Sequence, residues 1–240
     1  MNDTQSRGGL RGAFGVIAAA LFVIGPALAW LRVVPGLTGL ALFALGGIVG
    51  LLVGVASVIQ AARGRGLGGG GLIGLGVGVV FVVVAARGRG VPMINDYTTD
   101  PADPPALTHA ATMPPNVGRD MSYPAAFAGI QRGCCADLRP ARVRGTAPEA
   151  FARADRVARG MPDWSVTWTD PAAGLLEATA TSRLFGFHDD IAIRVRPEAD
   201  GTSRIDVRSK SRDGQGDLGV NAARIRTFVA ALEAGTATPP

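Results

Sequence analysis

Hydrophobic and polar positions divide this chain into two unlike parts. Three stretches, about residues 12–31, 37–62 and 67–86, contain no charged side chain. Each is long enough to cross about 30 Å of hydrocarbon, which takes about 20 helical residues. Buried helices of water-soluble proteins seldom run this far without a polar face. Residues 1–91 are therefore predicted to form a transmembrane region of three helices. Gly46, Gly50 and Gly54 recur every four residues in the second stretch, and Gly70, Gly74 and Gly78 do so in the third. Such stripes let backbones approach closely in lipid, so spans two and three should form a tight hairpin. No ionisable residue lies within a span to mark an ion path or transport site.

After Gly90 the pattern changes. Residues 92–124 hold seven prolines in 33 residues, with little apolar periodicity, and predict an extended Pro-rich tether whose end near Tyr123 and Phe127 packs on the next domain. Residues 125–235 read as that soluble domain. A strand at about 137–144 precedes Thr146-Ala147-Pro148-Glu149, which has the spacing of a capping box. The helix it opens sets Phe151, Ala154 and Ala158 on one face, and Gly160 and Pro162 stop it. Trp164, Val166 and Trp168 alternate with Ser165, Thr167 and Thr169 as in a half-buried strand. A further strand at about 175–183 comes after a turn.

Strands at about 187–196 and 204–212 flank Asp200-Gly201, a hairpin signal. If facing residue numbers sum to about 400, Ile193 meets Val207 and Val195 meets Ile205 on one face. On the other, Arg194 meets Asp206 and Asp190 meets Lys210. One register satisfies both faces. A last helix should run from an N-cap at Asp217, with Leu218, Ile225, Phe228, Val229 and Leu232 at helical spacing and Gly235 as terminator, leaving 236–240 as a disordered tail. The predicted fold class is α+β: the transmembrane helices, then a two-layer sandwich of an antiparallel sheet of about four to five strands and two helices.

Charge adds orientation. Residues 1–91 carry seven Arg and one acid, a net +6, whereas 92–240 carry 17 basic and 18 acidic residues, a net −1. The basic excess thus flanks membrane spans and not a folded surface, which argues against a nucleic-acid partner. Arg7, Arg11, Arg63 and Arg65 fall on one side of the membrane, against Arg32 in the first connector and Arg87 and Arg89 after the third span on the other, so the N-terminus is expected inside and the domain outside. Ala27-Leu28-Ala29 also resembles a signal-peptidase site; cleavage there would leave two spans and the same destination. The expected location is the cytoplasmic membrane, multi-pass, with an extracytoplasmic C-terminal domain.

Three segments carry a family resemblance: Leu184–Asp190 (LFGFHDD), Ile205–Arg212 (IDVRSKSR) and Gly216–Ile225 (GDLGVNAARI). They closely resemble the domain of unknown function 1499 family. Ile94–Asp100 (INDYTTD) with Pro104-Pro105 resembles that family's membrane-anchored branch, and the likeness spans about 94–233. It implies one folded domain and supplies no reaction. The sequence departs from the family at Cys134-Cys135, where relatives tend to show a small residue and an aromatic.

The chemistry-bearing residues are few. Asp189 shares strand parity with Phe187, Ile191 and Ile193, which points a carboxylate toward the apolar side, opposite Ser211 and near the last helix, whose N–H groups and Ser hydroxyls could satisfy it. Asp190, Ser211, Asp217 and Asn221 complete a motif that is structural or functional. No residue is named catalytic, since no nucleophile stands at a motif spacing; a hydrolase-type enzyme using Asp189 and Asp190 is the alternative reading. Arg208, Lys210 and Arg212, joined by Arg194 and Arg196, form a basic row that is either a charge ladder with Asp190, Asp206 and Glu177 or an anion-binding face. His109 and His188 lack metal-ligand spacing, and no metal or cofactor is expected. Adjacent Cys134 and Cys135 read as small half-buried residues that could pair only as a strained vicinal disulfide. The expected partners are the bilayer and an anionic lipid or envelope polymer.

Overall fold

A computed structural model describes residues 3–234; the predicted terminator Gly235 and the tail 236–240 lie outside the described residues. The chain forms two compact units, the N-terminal helices and the region after Gly90.

The first unit contains α1 (Asp3–Trp30), α2 (Gly36–Ala62) and α3 (Gly69–Ala86). Their apolar parts have 19, 27 and 18 residues with mean hydropathy of 2.1, 2.5 and 2.3. At 1.5 Å per residue these are about 27–40 Å long, enough to cross a bilayer. Leu52, Val79 and Val83 point outward, as suits lipid. Glycine lines the inside. A Cβ at Gly54 would lie 2.7 Å from Leu75 Cα, and one at Gly78 would lie 2.6 Å from Leu51 Cα. The predicted α2–α3 hairpin is present, but its stripes are not single surfaces. Gly46 faces α1, where a Cβ would meet the backbone of Phe22 and Ala18, and Gly70 lies against Gly15. Steps of four residues advance 400°, so a stripe drifts about 40° per step and passes from one neighbour to the next. α1 packs as closely as the hairpin: a Cβ at Gly39 would lie 2.7 Å from the Gly25 carbonyl, and the rings of Phe22 and Phe43 are 4.3 Å apart.

The second unit is built on one antiparallel sheet. Its strands are β1 (Asp96–Thr98), β2 (Ala141–Arg144), β3 (Trp164–Asp170), β4 (Leu175–Thr181), β5 (His188–Pro197) and β6 (Thr202–Ser211). The order is β1-β6-β5-β4-β3, and β2 joins the same outer edge of β6 farther along it. Six strands thus stand where about four to five were predicted. The β5–β6 register is as expected, with Ile193 opposite Val207 and Arg194 opposite Asp206, and Gly201 takes φ 77° in the turn.

One face of the sheet is apolar and carries the helices α6 (Ala147–Gly160) and α7 (Val220–Ala234). Leu176, Ile191, Ile193, Ile205 and Val207 meet Phe151, Ile225, Phe228 and Leu232 in the core. Ala150, Ala154 and Ala158 keep α6 thin enough to lie close. Glu149 accepts hydrogen bonds from the Thr146 backbone N–H at 2.8 Å and its hydroxyl at 2.9 Å, which fixes the start of α6. α7 begins later than predicted. Asp217 caps the turn before it, and Leu218 lies outside the helix, 73% exposed.

Two expectations are corrected. Residues 92–124 are not an extended tether: β1 joins the sheet, and Ile94, Asp96, Tyr97, Leu107, Ala110 and Asn116 are buried. The remainder, with the short helix α4 (Thr108–Thr112), crosses the sheet's second face as a strap, and α5 (Ala125–Cys134) comes next. Prolines do keep it irregular; its burial depends on partners on the sheet that no local pattern reveals. The β3 alternation also breaks. Between Val166 and Trp168 a bulge shifts the register, so Trp168 faces the strap side opposite Glu177 and stacks on His109 at 5.9 Å. Trp164 stays on the helix side, stacked on Phe228 at 5.3 Å.

The glycine contacts set a clear test of the helical unit. Gly78→Val should lower the thermal stability of the detergent-solubilised chain and speed its proteolysis, because the new Cβ meets backbone. Gly76→Val, where a Cβ meets nothing within 4 Å, should change neither. Equal behaviour of the two variants would refute close packing at Gly78.

Candidate functional site

The polar face of the sheet gathers most of the ionisable side chains that the sequence marks as candidates, and strand parity puts them there. Cross-strand pairing sets Asp96, Thr98, Glu177, Thr179, Asp190, Arg194, Arg196, Asp206, Arg208, Lys210 and Arg212 on one side. A charged face cannot be left under an irregular strap unless each group finds a partner.

Arg208 is at the centre and is 2% exposed. Its Nε and Nη2 donate to the two oxygens of Asp96 at 3.0 and 2.8 Å, a bidentate fork. The same guanidinium donates to the carbonyls of Pro105 at 3.2 Å and Met121 at 2.8 Å and lies 5.7 Å from the Tyr123 ring centroid. Lys210 adds a contact to Asp96 at 3.3 Å. Arg208 therefore pins both ends of the strap to the sheet. Beside it, Arg212 binds Asp190 through Nε at 2.9 Å, and Asn116 of the strap donates to the same carboxylate at 2.8 Å. The strong bond to Asp190 raises the Arg212 pKa above its ordinary range, against the opposing effect of burial. Glu177, 2% exposed, accepts from the Thr108 hydroxyl at 3.0 Å and the N–H groups of His109 and Ala110 at 2.8 and 2.7 Å, holding the start of α4.

The open end of this face is an arginine cluster. Asp206, fully buried, accepts from Arg194 at 3.2 Å, Arg196 at 2.8 Å and Arg204 at 2.9 Å. The strap adds Asp103, bound to Arg196 at 2.7 Å and Arg194 at 3.0 Å, and Asp100, bound to Arg204. The bond from Arg196, then that from Arg194, pulls the Asp103 carboxyl below its usual range.

Of the two readings of the basic row, the charge ladder describes its buried part: Arg208 is engaged with Asp96 and Arg212 with Asp190 beneath the strap, whereas Lys210, Arg194 and Arg196 are only partly buried. Charge patterning along β6 could not show this, because the covering residues lie about 90–110 positions earlier.

Asp189 lies on the helix face as expected, opposite Ser211. Its partner is nevertheless neither a hydroxyl nor a helix N–H but Arg224 of α7, at 2.7 Å. Asn221, fully buried, accepts from the Ser209 hydroxyl at 2.5 Å and donates to Ser211 at 2.8 Å, tying α7 to β6. Asp217 accepts the N–H groups of Gly219 at 2.8 Å and Asn221 at 2.7 Å, and burial raises its pKa. Asp189 and Asp190 are 4% and 1% exposed and each is bound to an arginine. Both carboxylates are thus held below the surface in ion pairs.

Gln131 of α5 is a residue that the sequence reading missed. Its side chain accepts from the Thr98 N–H at 3.0 Å and donates to the Thr98 carbonyl at 2.5 Å, so it pairs with the outer edge of β1 as a neighbouring strand would. Cys134, exposed, and Cys135, buried, are joined as a vicinal disulfide at the end of α5 and not left unpaired. A shallow hollow of about 130 Å³ beside Leu138, Ile225, Arg226 and Val229 falls below the ~300 Å³ at which small-molecule pockets begin.

The extent of this packed unit bears on identity, since a recurring domain should include the strand that anchors the strap. The profile of the family described as "Protein of unknown function (DUF1499)" matches residues 96–232. The chain belongs to this family. The match opens at Asp96, so the DUF1499 domain includes β1 and the strap as well as the sheet and helices. No curated protein matches the chain.

Two stability effects arise from this site. Asp96→Ala leaves Arg208 charged and buried, which should cost about 3–5 kcal/mol in a denaturant melt of the full chain followed by the fluorescence of Trp164 and Trp168. Adding Arg208→Met should recover part of that loss; a cost under about 1 kcal/mol for Asp96→Ala would show that the pair does not anchor the strap.

The second effect concerns pH. Asp217 has a raised folded-state pKa, so the folded chain holds its proton where the unfolded chain has lost it. Stability should fall as pH rises from the ordinary carboxylate range through the raised value. Asp217→Asn, which keeps a cap oxygen, should flatten this dependence in melting temperatures taken from pH 3 upward. An unchanged slope would count against burial of the acid.

Proposed function

We propose that this chain is a non-enzymatic membrane-anchored module of the cytoplasmic membrane whose DUF1499 domain stands on the extracytoplasmic side and binds an anionic envelope component, a lipid headgroup or an acidic polymer. The observation that carries the reading is the shortness of the connector. α3 ends at Ala86 and β1 begins at Asp96, so nine residues, 87–95, separate the last apolar helix from the sheet. Nine residues reach at most about 30 Å. A connector of that reach supports a binding module that works on the membrane or its nearest layer. Arg7, Arg11, Arg63 and Arg65 support an internal N-terminus by the positive-inside rule. The engagement of Asp189 and Asp190 by Arg224 and Arg212 favours binding over hydrolysis.

Topology is tested by reporter fusions at the C-terminus. A reporter active only outside the cytoplasm should be active in a bacterial host, and activity of a cytoplasmic reporter alone would overturn the orientation. Ligand class is tested with the full chain in neutral-lipid nanodiscs. It should capture phosphatidylglycerol vesicles over phosphatidylcholine vesicles, with capture falling as salt is added. Equal capture of both at low ionic strength would refute the anionic ligand.

A further inference from the structure

We propose that Arg142, Arg204 and Arg196 form a phosphate-binding site at the open end of the polar sheet face, and that Asp103 of the strap is its built-in competitor. This rests on the anionic-ligand reading and gives that reading a place and a chemical class. Arg142 of β2 is the cross-strand partner of Arg204 on β6, and Arg204 is the partner of Arg196 on β5. Three guanidinium-bearing residues therefore stand in one line across three adjacent strands, each about 5 Å from the next at the backbone. Like charges directly opposite one another destabilise a sheet. The line also meets the strap, through Asp103 and Asp100, but Arg208, Arg212 and Glu177 hold the strap independently from the buried part of the face.

Anions fill the line now, but unequally. Asp206, fully buried beneath Arg194, Arg196 and Arg204, and Asp100, 18% exposed and bound to Arg204, are the fixed counter-ions. Asp103 differs, with 57% of its side chain exposed, on a bend that Asp100 closes by accepting the N–H groups of Ala102 and Asp103 at 3.1 Å. Exposed ion pairs contribute about 0–1 kcal/mol, so this carboxylate is a weakly held occupant. Glu198, which takes Arg142 at 3.2 Å, faces an arginine with 65% of its side chain exposed. The Arg194 Nε is buried without a hydrogen-bond partner, so the strap leaves donor capacity unused in the cluster. A phosphate offers more charge than one carboxylate and oxygens that match planar guanidinium forks. It would displace Asp103 from Arg196 and engage Arg142 and Arg204 together.

The test uses the full chain in neutral-lipid nanodiscs, titrated with inorganic phosphate at low ionic strength by calorimetry, with capture of phosphatidylglycerol and phosphatidylcholine vesicles run in parallel. Asp103→Asn removes the competitor and should tighten phosphate binding several-fold; Arg142→Glu should weaken it several-fold. Both positions are exposed, and a thermal melt checks that each variant stays folded. The site is overturned if Asp103→Asn leaves phosphate affinity unchanged or weaker, if Arg142→Glu has no effect, or if the wild type binds no phosphate at millimolar concentration. Selective vesicle capture that neither variant alters would reject this site and leave the anionic-ligand reading standing. Phosphate binding that responds to both variants without selective capture would make the ligand a free phosphate and not a headgroup.

Discussion

The bidentate pair between Asp96 and Arg208 is the contact on which the second unit depends. It joins the first strand of the domain to the sixth, 112 residues later, and it does so inside the protein. A buried pair of this kind gains little over apolar residues of the same volume, because two charges must be taken out of water. Its effect is on specificity: once Arg208 is buried, its remaining donors need acceptors, and the carbonyls of Pro105 and Met121 supply them. An irregular, proline-rich segment has carbonyls to spare, since proline lacks an N–H and strand pairing is absent. The strap and the charged face are therefore complementary in their hydrogen-bonding needs, and neither could be buried without the other.

The two faces of the sheet are organised by different forces. On the helix side, aliphatic residues and alanines bury area without direction, and Asp189, Ser209, Ser211 and Asn221 form a polar group at one end where α7 brings Arg224 to them. On the strap side, direction is everything, and Glu177, Asp190 and Arg208 each receive or give bonds to named backbone or amide groups of the strap. The helical unit uses neither device. Its interior sets glycine against backbone or against a neighbour's side chain, where close contact depends on the missing Cβ.

How much of this was legible in the sequence depends on how local each signal is. The three spans, the α6 capping box and the β5–β6 register each rest on residues close in the chain, and the register was legible because two faces agreed on it. The strap was not, since its anchors on β6 lie roughly a hundred residues away and proline density alone reads as a free linker. The alternation assigns Trp168 to the helix face, but a bulge adds one residue without any mark in the pattern and turns it to the strap side. Strand parity marks Asp189 as a buried carboxylate in need of a partner, yet Arg224 sits on a helix whose rotation against the sheet no pattern specifies. Gln131 carried no signal, because an amide that imitates a strand edge looks like any polar residue on a short helix.

The arginines on the strap side then separate into two groups with different physics. Arg208 and Arg212 are buried, and their partners Asp96 and Asp190 are buried too, so exchanging either partner for an external ion would expose a charge the fold has already desolvated. Arg142, Arg196 and Arg204 keep 65%, 38% and 25% of their side chains exposed, and the partner at the surface, Asp103, is more exposed than two of them. Solvent already competes for the Asp103 bond, so a second anion can do so there at little cost, while Asp206, which is buried, and Asp100 stay as counter-ions to Arg196 and Arg204. With the domain near neutrality, at 17 basic against 18 acidic residues after residue 91, such a potential is confined to the place where the arginines line up. Position in the sheet, and not the sum of charge, decides which cations fasten the fold and which remain open to exchange.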